Sequence, residues 1–381
     1  MNTDKKIKIA YFIPIWRGAA MARWAQNIAG NLDSKIYEVS FVGLKIEESF
    51  KEEIPKYMRV INLGNLHIPG IFLKLIAYFR KNRPDVFVSA FPHINTISMM
   101  AKIISGVKTK VILTEHNHFS LLAANARGIC RRFFGLHILP YAMRILYPLA
   151  DAIICVSHGV AESILDVVNV KNKITVIYNP VVSEEVIALS QKPVRHPWFL
   201  DQGAPIILSA GRLVTQKDYP TLLSAFALVV QELPARLVIL GEGPEQKELE
   251  KIAHALGVHQ HVAFLGLQKN PFNYMKMASV FVLSSLHEGF GNVIVEAMAL
   301  GVPVISTDCK SGPSEIIEND KNGMLVPVRN SSALADTILK LLEDPPLRQR
   351  LSLAGMQRSR DFLAKASMKQ YEKVFLKVLE K

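Results

Sequence analysis

The sequence is poor in cysteine and in charge, and it has no long uncharged apolar run. Its three cysteines, Cys130, Cys155 and Cys309, are too few and too scattered for a disulfide framework, and no CxxC pair suggests zinc or redox chemistry. No stretch of 18 residues lacks a charged side chain, so we expect no transmembrane helix. Hydrophobic residues make up 50% of the chain, which excludes intrinsic disorder. The length of 381 residues predicts two or three domains. The scattered cysteines indicate a reducing compartment.

Acidic residues are also scarce, and the first half of the chain has fewer of them than the second. Residues 1–190 hold 23 Lys or Arg against 14 Asp or Glu, a net charge of +9, whereas residues 191–381 hold 22 against 19, a net of +3. A basic half suits nucleic acid, an anionic membrane or a phosphate-bearing substrate. Nucleic acid is the weakest of these, because no helix-turn-helix, zinc finger or aromatic RNP pattern accompanies the charge.

Short runs rich in Val, Ile and Phe alternate with longer amphipathic segments along the chain, which is typical of parallel sheets with crossover helices. Twelve strands are predicted: Lys8 to Ile13, Glu38 to Gly43, Val86 to Ala90, Lys110 to Thr114, Ala152 to Val156, Ile174 to Ile177, Ile206 to Ala210, Arg236 to Leu240, Val262 to Leu265, Val280 to Leu283, Val302 to Ser306 and Gly323 to Val326. The segment Asn179 to Asp201 contains three prolines and keeps neither period, as a linker would. We therefore predict an α/β chain of two doubly wound domains.

Ligands of such domains bind beyond the carboxyl ends of the strands, so the loops that follow strands are the candidate sites. The first such loop, Arg17 to Ala20, is a turn of small residues before a predicted helix from Met21 to Leu32. Small residues allow a ligand to approach the backbone closely. An ordinary strand-to-helix turn explains the same residues.

The second candidate loop, Thr114 to His118, places two imidazoles and a carboxylate at a strand end. Polar groups there suit acid–base chemistry better than a core. A lone histidine such as His116 is more often a structural residue. Metal binding by His116 and His118 with Glu115 is a minor alternative, because the two histidines have no third partner at the spacing that metal ligands usually have.

The third candidate loop, Ser209 to Asp218, carries Arg212 and Lys217 after Gly211. A planar guanidinium fork and an ammonium point charge five residues apart are suited to a diphosphate. The alternative is a solvated basic loop.

The fourth candidate loop, Ser284 to Ala297, is the most informative. A glycine-flanked turn precedes an apolar helix predicted to begin near Asn292, and a helix N-terminus favours phosphate. Glu288 and Glu296 lie eight residues apart, and if both were helical they would be separated by roughly 12 Å. Two carboxylates so spaced could grip hydroxyls at both ends of a nucleotide sugar.

Five short motifs stand in the second half of the chain: Gly211-Arg212 with Lys217, Gly241 to Pro244, Glu288 to Gly291, Glu296 to Ala299, and Gly301 to Val304. Together they resemble the donor domain of retaining glycosyltransferases of family 4, which have the GT-B fold. The segment Asp308 to Glu315 is similar to that of bacterial members that build lipid-linked oligosaccharides and surface polysaccharides. One departure is Met21, which stands where the family's Gly-Gly-Ala-Glu turn has its glutamate, so the acceptor contacts of that glutamate do not carry over.

The resemblance implies two Rossmann-like domains facing a central cleft: an acceptor-binding domain of residues 1–183, with a C-terminal helix at 365–381 packing back on it, and a donor-binding domain of residues 184–364. It implies a catalytic set of four residues: His116, Arg212, Lys217 and Glu288. It implies a donor-binding set of nine: Gly18, Ala19, Gly211, Gly243, Phe290, Gly291, Asn292, Val293 and Glu296. In these roles Arg212 and Lys217 hold the donor diphosphate, Glu296 takes the ribose hydroxyls, and His116 sits beside the reacting carbon.

The implied reaction is transfer of a hexose or N-acetylhexosamine from a nucleoside diphosphate sugar, preferably a UDP-sugar, to a lipid-linked or polysaccharide acceptor with retained configuration. No metal and no cofactor are expected, because the sequence contains no Asp-x-Asp motif and cations can neutralise the leaving group. A nucleotide-sugar epimerase and a silent carbohydrate-binding scaffold are the alternatives. The epimerase would need groups that remove a proton from the sugar ring.

Four arginines of the first half, Arg127, Arg131, Arg132 and Arg144, are interleaved with aromatic residues. This arrangement suits an anionic bilayer or a lipid pyrophosphate, although a solvated helix face would look similar. We therefore predict a cytoplasmic enzyme that associates peripherally with the inner face of the cell membrane and binds no nucleic acid.

Overall fold

The computed structural model describes residues 6–16, 18–52, 54, 58–64, 68–119, 138–201 and 203–380. The chain divides into two compact units. The first unit comprises Met1–Pro180 together with Ala364–Lys381, and the second comprises Val181–Leu363. Each unit is built on its own parallel sheet, so the predicted fold class is confirmed.

The first unit has a seven-stranded sheet in the order β5-β3-β1-β6-β7-β8-β9 and a separate pair formed by β2 and β4. Its strands are β1 (Ile7–Phe12), β2 (Ile15–Trp16), β3 (Tyr37–Gly43), β4 (Lys45–Ile46), β5 (Arg59–Asn62), β6 (Val86–Ala90), β7 (Lys110–Glu115), β8 (Ala152–Cys155) and β9 (Ile174–Val176). Its helices in the described ranges are α1 (Gly18–Gly30), α2 (Glu48–Lys51), α3 (Ile68–Asn82), α4 (Pro92–Ser105), α5 (Ile138–Leu146), α6 (His158–Leu165) and the C-terminal helix, Ala364–Leu379.

The second unit has a six-stranded sheet in the order β12-β11-β10-β13-β14-β15. Its strands are β10 (Ile206–Ala210), β11 (Arg236–Leu240), β12 (Val262–Phe264), β13 (Val280–Leu283), β14 (Val304–Thr307) and β15 (Met324–Val326). Its helices are α7 (Glu184–Ser190), α8 (Pro197–Leu200), α9 (Tyr219–Glu232), α10 (Gln246–Ala255), α11 (Phe272–Lys276), α12 (Asn292–Ala299), α13 (Pro313–Ile316), α14 (Ser331–Glu343) and α15 (Pro345–Ser359); the C-terminal helix of the first unit follows as α16.

Both main sheets are doubly wound, and each reverses its strand order beside its first strand. The reversal falls between β1 and β6 in the first unit and between β10 and β13 in the second. The strands read as continuous Val and Ile runs because helices cover both faces of a parallel sheet. The carboxyl end of the sheet at each reversal is where an open α/β sheet binds its ligands.

The C-terminal helix α16 belongs to the core of the first unit. Met368, Tyr371, Phe375 and Val378 recur at helical spacing and are buried in the same cluster as strand β1. The rings of Phe375 and Tyr11 meet edge to face with centroids 6.5 Å apart. The last helix therefore returns to the unit in which the chain begins.

The segment Asn179 to Asp201 contains the boundary between the two units, at Pro180 and Val181, but most of it is structured rather than a loose linker. This segment forms α7 and α8, and its residues Val186 and Phe199 are buried in the second unit. The amides of Asn270 and Asn273 donate hydrogen bonds to its backbone carbonyls at Leu189 and Pro193. The prolines shorten its helices but do not loosen it, because its apolar side chains still pack.

All twelve predicted strands are present, with ends that differ by at most two residues. The helix predicted from Met21 begins instead at Gly18, so the expected turn of small residues forms the first turn of α1. Arg17 lies outside the described residues. Within the described ranges, no helix combines the length and the apolar character needed to span a bilayer.

Candidate active site

Two loops meet at the strand reversal of the second unit. One follows β10 and the other follows β13, and side chain and backbone bonds join them. The amide of Leu286 donates to the carbonyl of Gln216 at 2.8 Å, and Gln216 Nε2 donates to the carbonyl of His287 at 2.8 Å. Ser284 Oγ donates to the carbonyl of Lys217 at 2.7 Å. The loop after β10, which carries Arg212 and Lys217, and the loop after β13, which carries Glu288, are therefore held together by hydrogen bonds.

Lys217 and Glu288, which lie 71 residues apart in the chain, form an ion pair at this junction. Lys217 Nζ is 2.5 Å from Glu288 Oε1, and Ser285 Oγ donates to the same oxygen at 2.6 Å. Both charged side chains are largely buried. An ammonium group has three N–H donors, and among the described residues only Glu288 accepts from Lys217 Nζ, which leaves two donors for a ligand.

Arg212 differs from Lys217 although the two share a loop. Its side chain is exposed, and in the described part of the chain no hydrogen bond or ion pair engages its guanidinium. A side chain at Gly211 would place its Cβ 3.0 Å from Lys217 Cε. Glycine at 211 thus leaves room for the lysine stem, while the arginine remains available to an anion.

Gly243 closes the site from the side of β11. A Cβ at this position would lie 2.2 Å from the carbonyl oxygen of Leu213, so any larger residue would push the two loops apart. The amide of Leu213 donates to the carbonyl of Glu242 at 3.0 Å. The structure thus gives Gly243 a packing role, and the predicted donor contact stays a prediction.

Helix α12 begins at Asn292, as predicted, and Gly291 precedes it in the left-handed region with φ 103°. Phe290 is buried beside it, while Asn292 is exposed and Val293 and Glu296 are half-buried. The helix dipole gives this end of α12 a partial positive charge. Glu288 is not helical, so the 12 Å separation estimated for two helical glutamates does not apply.

In the first unit, His116 follows β7. Its Nε2 is 3.1 Å from Thr114 Oγ1, and that hydroxyl donates its only proton to the carbonyl of Ser89 at 2.9 Å. The hydroxyl must therefore accept from Nε2–H, which leaves Nδ1 as an acceptor. Burial lowers the pKa of His116 to about 4, so the imidazole is neutral at physiological pH.

Glu115, next to His116, points into the core and is fully buried. Its Oε1 accepts from Asn95 Nδ2 at 2.7 Å and from the hydroxyl of Tyr147. Burial raises the pKa of Glu115 to about 7, although these two hydrogen bonds act in the opposite direction. Among the described residues no three histidine, cysteine or acidic side chains lie together as the ligands of a metal ion would.

Sequence reasoning missed the side chains that support these groups. Ser285 bonds Glu288, while Asn95 and Tyr147 bond Glu115 from 20 and 32 residues away. Ser285 lies within the predicted fourth loop and could have been found as a hydroxyl beside a glutamate. Asn95 and Tyr147 carry no such signal, because nothing local relates them to Glu115.

The chain contains two Rossmann-like units, and the strand reversal of the second is rich in glycine and carries cationic side chains. These features define the GT-B class of glycosyltransferase fold. Solved structures with this fold match nearly the whole chain. HepE of Anabaena, crystallised with UDP-glucose, has a TM-score of 0.78 at 19% identity, covering 96% of this chain and 98% of its own. A glycosyltransferase of Rickettsia africae has a TM-score of 0.79 at 16% identity, covering 99% of this chain and 100% of its own.

Sequence comparison gives the family. The model for Glycosyltransferase Family 4 matches residues 21–185, and that for Glycosyl transferases group 1 matches residues 190–358. A Campylobacter jejuni N-acetylgalactosamine-N,N'-diacetylbacillosaminyl-diphospho-undecaprenol 4-alpha-N-acetylgalactosaminyltransferase is 31% identical over 78% of this chain and 78% of its own. An N-acetyl-alpha-D-glucosaminyl L-malate synthase of Bacillus anthracis is 26% identical over 76% of this chain and 73% of its own. The chain belongs to glycosyltransferase family 4.

Proposed function

We propose that this glycosyltransferase moves a hexose or N-acetylhexosamine from a UDP-sugar to a lipid-linked or polysaccharide acceptor with retained configuration. One observation carries the proposal: Lys217 is held by an ion pair with Glu288 and keeps two N–H donors for a ligand, in the same loop as the exposed Arg212. HepE binds UDP-glucose, and the Campylobacter relative is named for a diphospho-undecaprenol substrate. Transfer from a panel of nucleotide sugars, with NMR of the new linkage, tests the donor and the configuration.

In the proposed complex each donor group has its own partner. Arg212 and Lys217 hold the diphosphate, and the positive end of α12, from Gly291 to Val293, adds to their field. Glu296 accepts from the ribose hydroxyls. Glu288 and the backbone from Phe290 to Asn292 position the transferred sugar.

The bond that breaks joins the anomeric carbon of the sugar to the leaving diphosphate, which takes the electron pair. Fixed cations stabilise the charge that develops on that diphosphate. The oxygen of the acceptor hydroxyl attacks from the face that the diphosphate leaves, within one ion-pair encounter, and its proton passes to the departing phosphate oxygen, so the configuration is retained. For His116 we propose a place beside the reacting carbon, where a neutral imidazole adds no competing positive charge.

Replacing Glu296 with alanine is expected to weaken UDP binding about 10- to 100-fold, because a carboxylate makes charge-assisted hydrogen bonds to two ribose hydroxyls. Isothermal titration with UDP measures this. Glu232→Ala, an exposed glutamate at the far end of α9, is the matched control and should bind UDP like the wild type. Equal dissociation constants for both variants would contradict the ribose assignment.

We propose that transfer needs no divalent metal, because Arg212, Lys217 and α12 supply the positive charge that a metal would otherwise provide. Excess EDTA should leave the initial rate within about twofold of the untreated rate. Loss of activity in EDTA that magnesium or manganese restores would contradict this proposal.

We also propose that the enzyme works at an anionic membrane surface, on its cytoplasmic face, without nucleic acid as a partner. Arg144 is exposed on α5, as this proposal requires. Arg127, Arg131 and Arg132 lie outside the described residues. Salt should weaken the attraction, because ionic strength screens exposed charges.

A further inference from the structure

Thr114, two residues before His116 at the carboxyl end of β7, is held by both its hydroxyl and its carbonyl. The side chain is buried, and Oγ1 donates to the carbonyl of Ser89 at 2.9 Å. The carbonyl accepts from the amide of Phe91 at 3.3 Å and from Asn95 Nδ2 at 3.2 Å. These bonds tie Thr114 to strand β6 and to the start of helix α4, so its hydroxyl has a fixed position.

This fixed hydroxyl determines which ring nitrogen of His116 carries the proton. Oγ1 of Thr114 spends its only proton on Ser89, so it accepts from His116, and the proton of the neutral ring lies on Nε2. Burial lowers the pKa of His116 to about 4, which keeps the ring neutral. In the part of the chain that the structure describes, no group bonds Nδ1, and the ring is only half-buried. The lone pair of Nδ1 is therefore open to a ligand.

Phe91 adds a second contact that fixes the imidazole. Its ring centroid lies 6.0 Å from that of His116. Its backbone has a φ of 77°, which is strained for a bulky side chain and persists only where the surroundings hold it. Here the amide is bonded to Thr114, and the carbonyl accepts from the amides of Ile94 and Asn95. The strained backbone thus keeps the aromatic ring against the histidine.

We infer that Thr114 is a positioning residue for the proposed transfer, which holds His116 in the Nε2–H form so that the lone pair of Nδ1 faces the substrates. Positive charge develops at the anomeric carbon of a sugar as its bond to the leaving group breaks. The negative end of the imidazole dipole stabilises that charge, whereas an N–H at the same place would oppose it. The inference rests on the proposed place of His116 beside the reacting carbon.

Three variants of the full chain test the role of the hydroxyl. Thr114→Val keeps the branched shape and removes the hydroxyl, while Thr114→Ser keeps the hydroxyl and removes the methyl group. Thr109→Val is the matched control. Thr109 is equally buried just before β7, and its Oγ1 donates to the carbonyl of Pro84 at 2.7 Å. This control therefore loses the same kind of hydrogen bond at the opposite end of the same strand.

NMR of the free protein, with ¹⁵N in its histidines, measures the tautomer directly, because protonated and unprotonated ring nitrogens differ in chemical shift. His116→Asn identifies the signals of His116 by their absence. We expect the Nε2–H form alone in the wild type, Thr114→Ser and Thr109→Val. Thr114→Val should show a mixture with the Nδ1–H form, because its Nε2–H would face a methyl group without an acceptor. A wild type protonated on Nδ1, or the pure Nε2–H form in Thr114→Val, would overturn the inference.

Nucleotide release from the UDP-sugar that the wild type cleaves fastest measures the consequence for the reaction. We expect kcat/KM to fall about 10- to 100-fold in Thr114→Val, to stay within about threefold in Thr114→Ser, and to be unchanged in Thr109→Val. A wild-type rate in a folded Thr114→Val variant would overturn the inference. A serine variant as slow as the valine variant would do the same, because it would show that the methyl group matters and not the hydroxyl.

The two measurements separate this inference from the proposed function. The tautomer is read in the free protein, so it does not depend on which reaction the chain performs. A folded wild type that releases no nucleotide from any UDP-sugar would contradict the proposed function. An active wild type with the proton of His116 on Nδ1 would overturn the inference about Thr114 alone.

Discussion

Replacing either Arg212 or Lys217 with alanine is expected to lower kcat about 100- to 1,000-fold. The diphosphate gains negative charge as the glycosidic bond breaks, so cations fixed beside it stabilise the transition state more than the ground state. KM should therefore rise much less than kcat falls. Steady-state kinetics on the nucleotide released measures both constants.

The two variants should differ in stability, which provides an internal control. Arg212 is exposed and unpaired within the described residues, so its removal should change the unfolding free energy by no more than about 0.5 kcal/mol. Lys217 neutralises the largely buried Glu288, so its removal should cost about 2 to 3 kcal/mol. Near wild-type kcat in a folded Arg212→Ala variant would show that the loop is only a solvated surface.

Replacing Glu115 with glutamine is expected to remove a pH dependence of stability and to stabilise the protein above neutral pH. Within the part of the chain that the structure describes, Glu115 Oε2 and Asn95 Oδ1 are buried acceptors without a hydrogen-bond partner, although the two side chains already bond through their other atoms. A proton on Glu115 removes the negative charge from this fully buried side chain. Glutamine carries N–H donors there at every pH and keeps an oxygen for Asn95 and Tyr147.

Because the pKa of Glu115 is raised in the folded protein, its contribution to stability falls as the pH rises. The folded state keeps the proton up to about pH 7, whereas the unfolded chain releases it near its ordinary value of 4.5. This contribution to stability is full below about pH 4.5 and is lost as the pH rises to about 7, a change of about 3 kcal/mol. The lowered pKa of His116 acts in both proteins and cancels in their difference, while burial keeps the pKa values of Tyr147 and Cys155 far above this window.

Urea unfolding of the wild type and Glu115→Gln between pH 4.5 and pH 8 measures the effect. The variant should match the wild type at the acid end and exceed it by about 3 kcal/mol at pH 8. A variant that is less stable by the same amount at every pH would show that Glu115 is a carboxylate in the folded protein.

The fold could be predicted because buried parallel strands are recognisable in the sequence as short runs of Val and Ile. Strand β5, Arg59–Asn62, was not predicted, since it has only four residues, begins with a charge and lies at the sheet edge. The two-residue strands β2 and β4 are too short for any period to be visible. The start of α1 was misplaced because Gly18 reads as a turn residue although it begins a helix.

The sequence predicted which loops carry the candidate site, but not which of their side chains contact each other. Strand ends placed Lys217 and Glu288 on two loops, yet the sequence assigned them to separate tasks, one to phosphate and one to sugar. Only the folded chain shows that they form one ion pair, because 71 residues separate them. The partners of Glu115 were hidden for the same reason, since burial and distant hydrogen bonds leave no local pattern.

The most direct test of the central claim is nucleotide release by the purified chain from UDP-, GDP- and ADP-sugars without added acceptor, with Arg212→Ala/Lys217→Ala measured beside it. Water then takes the place of the acceptor, so the result does not depend on knowing the natural one. We predict slow but measurable release of UDP and free sugar from a UDP-sugar by the wild type, and release at the buffer rate by the double variant. Equal rates for the wild type, the double variant and buffer with every donor would contradict the assignment of a sugar-transferring site to the loops after β10 and β13.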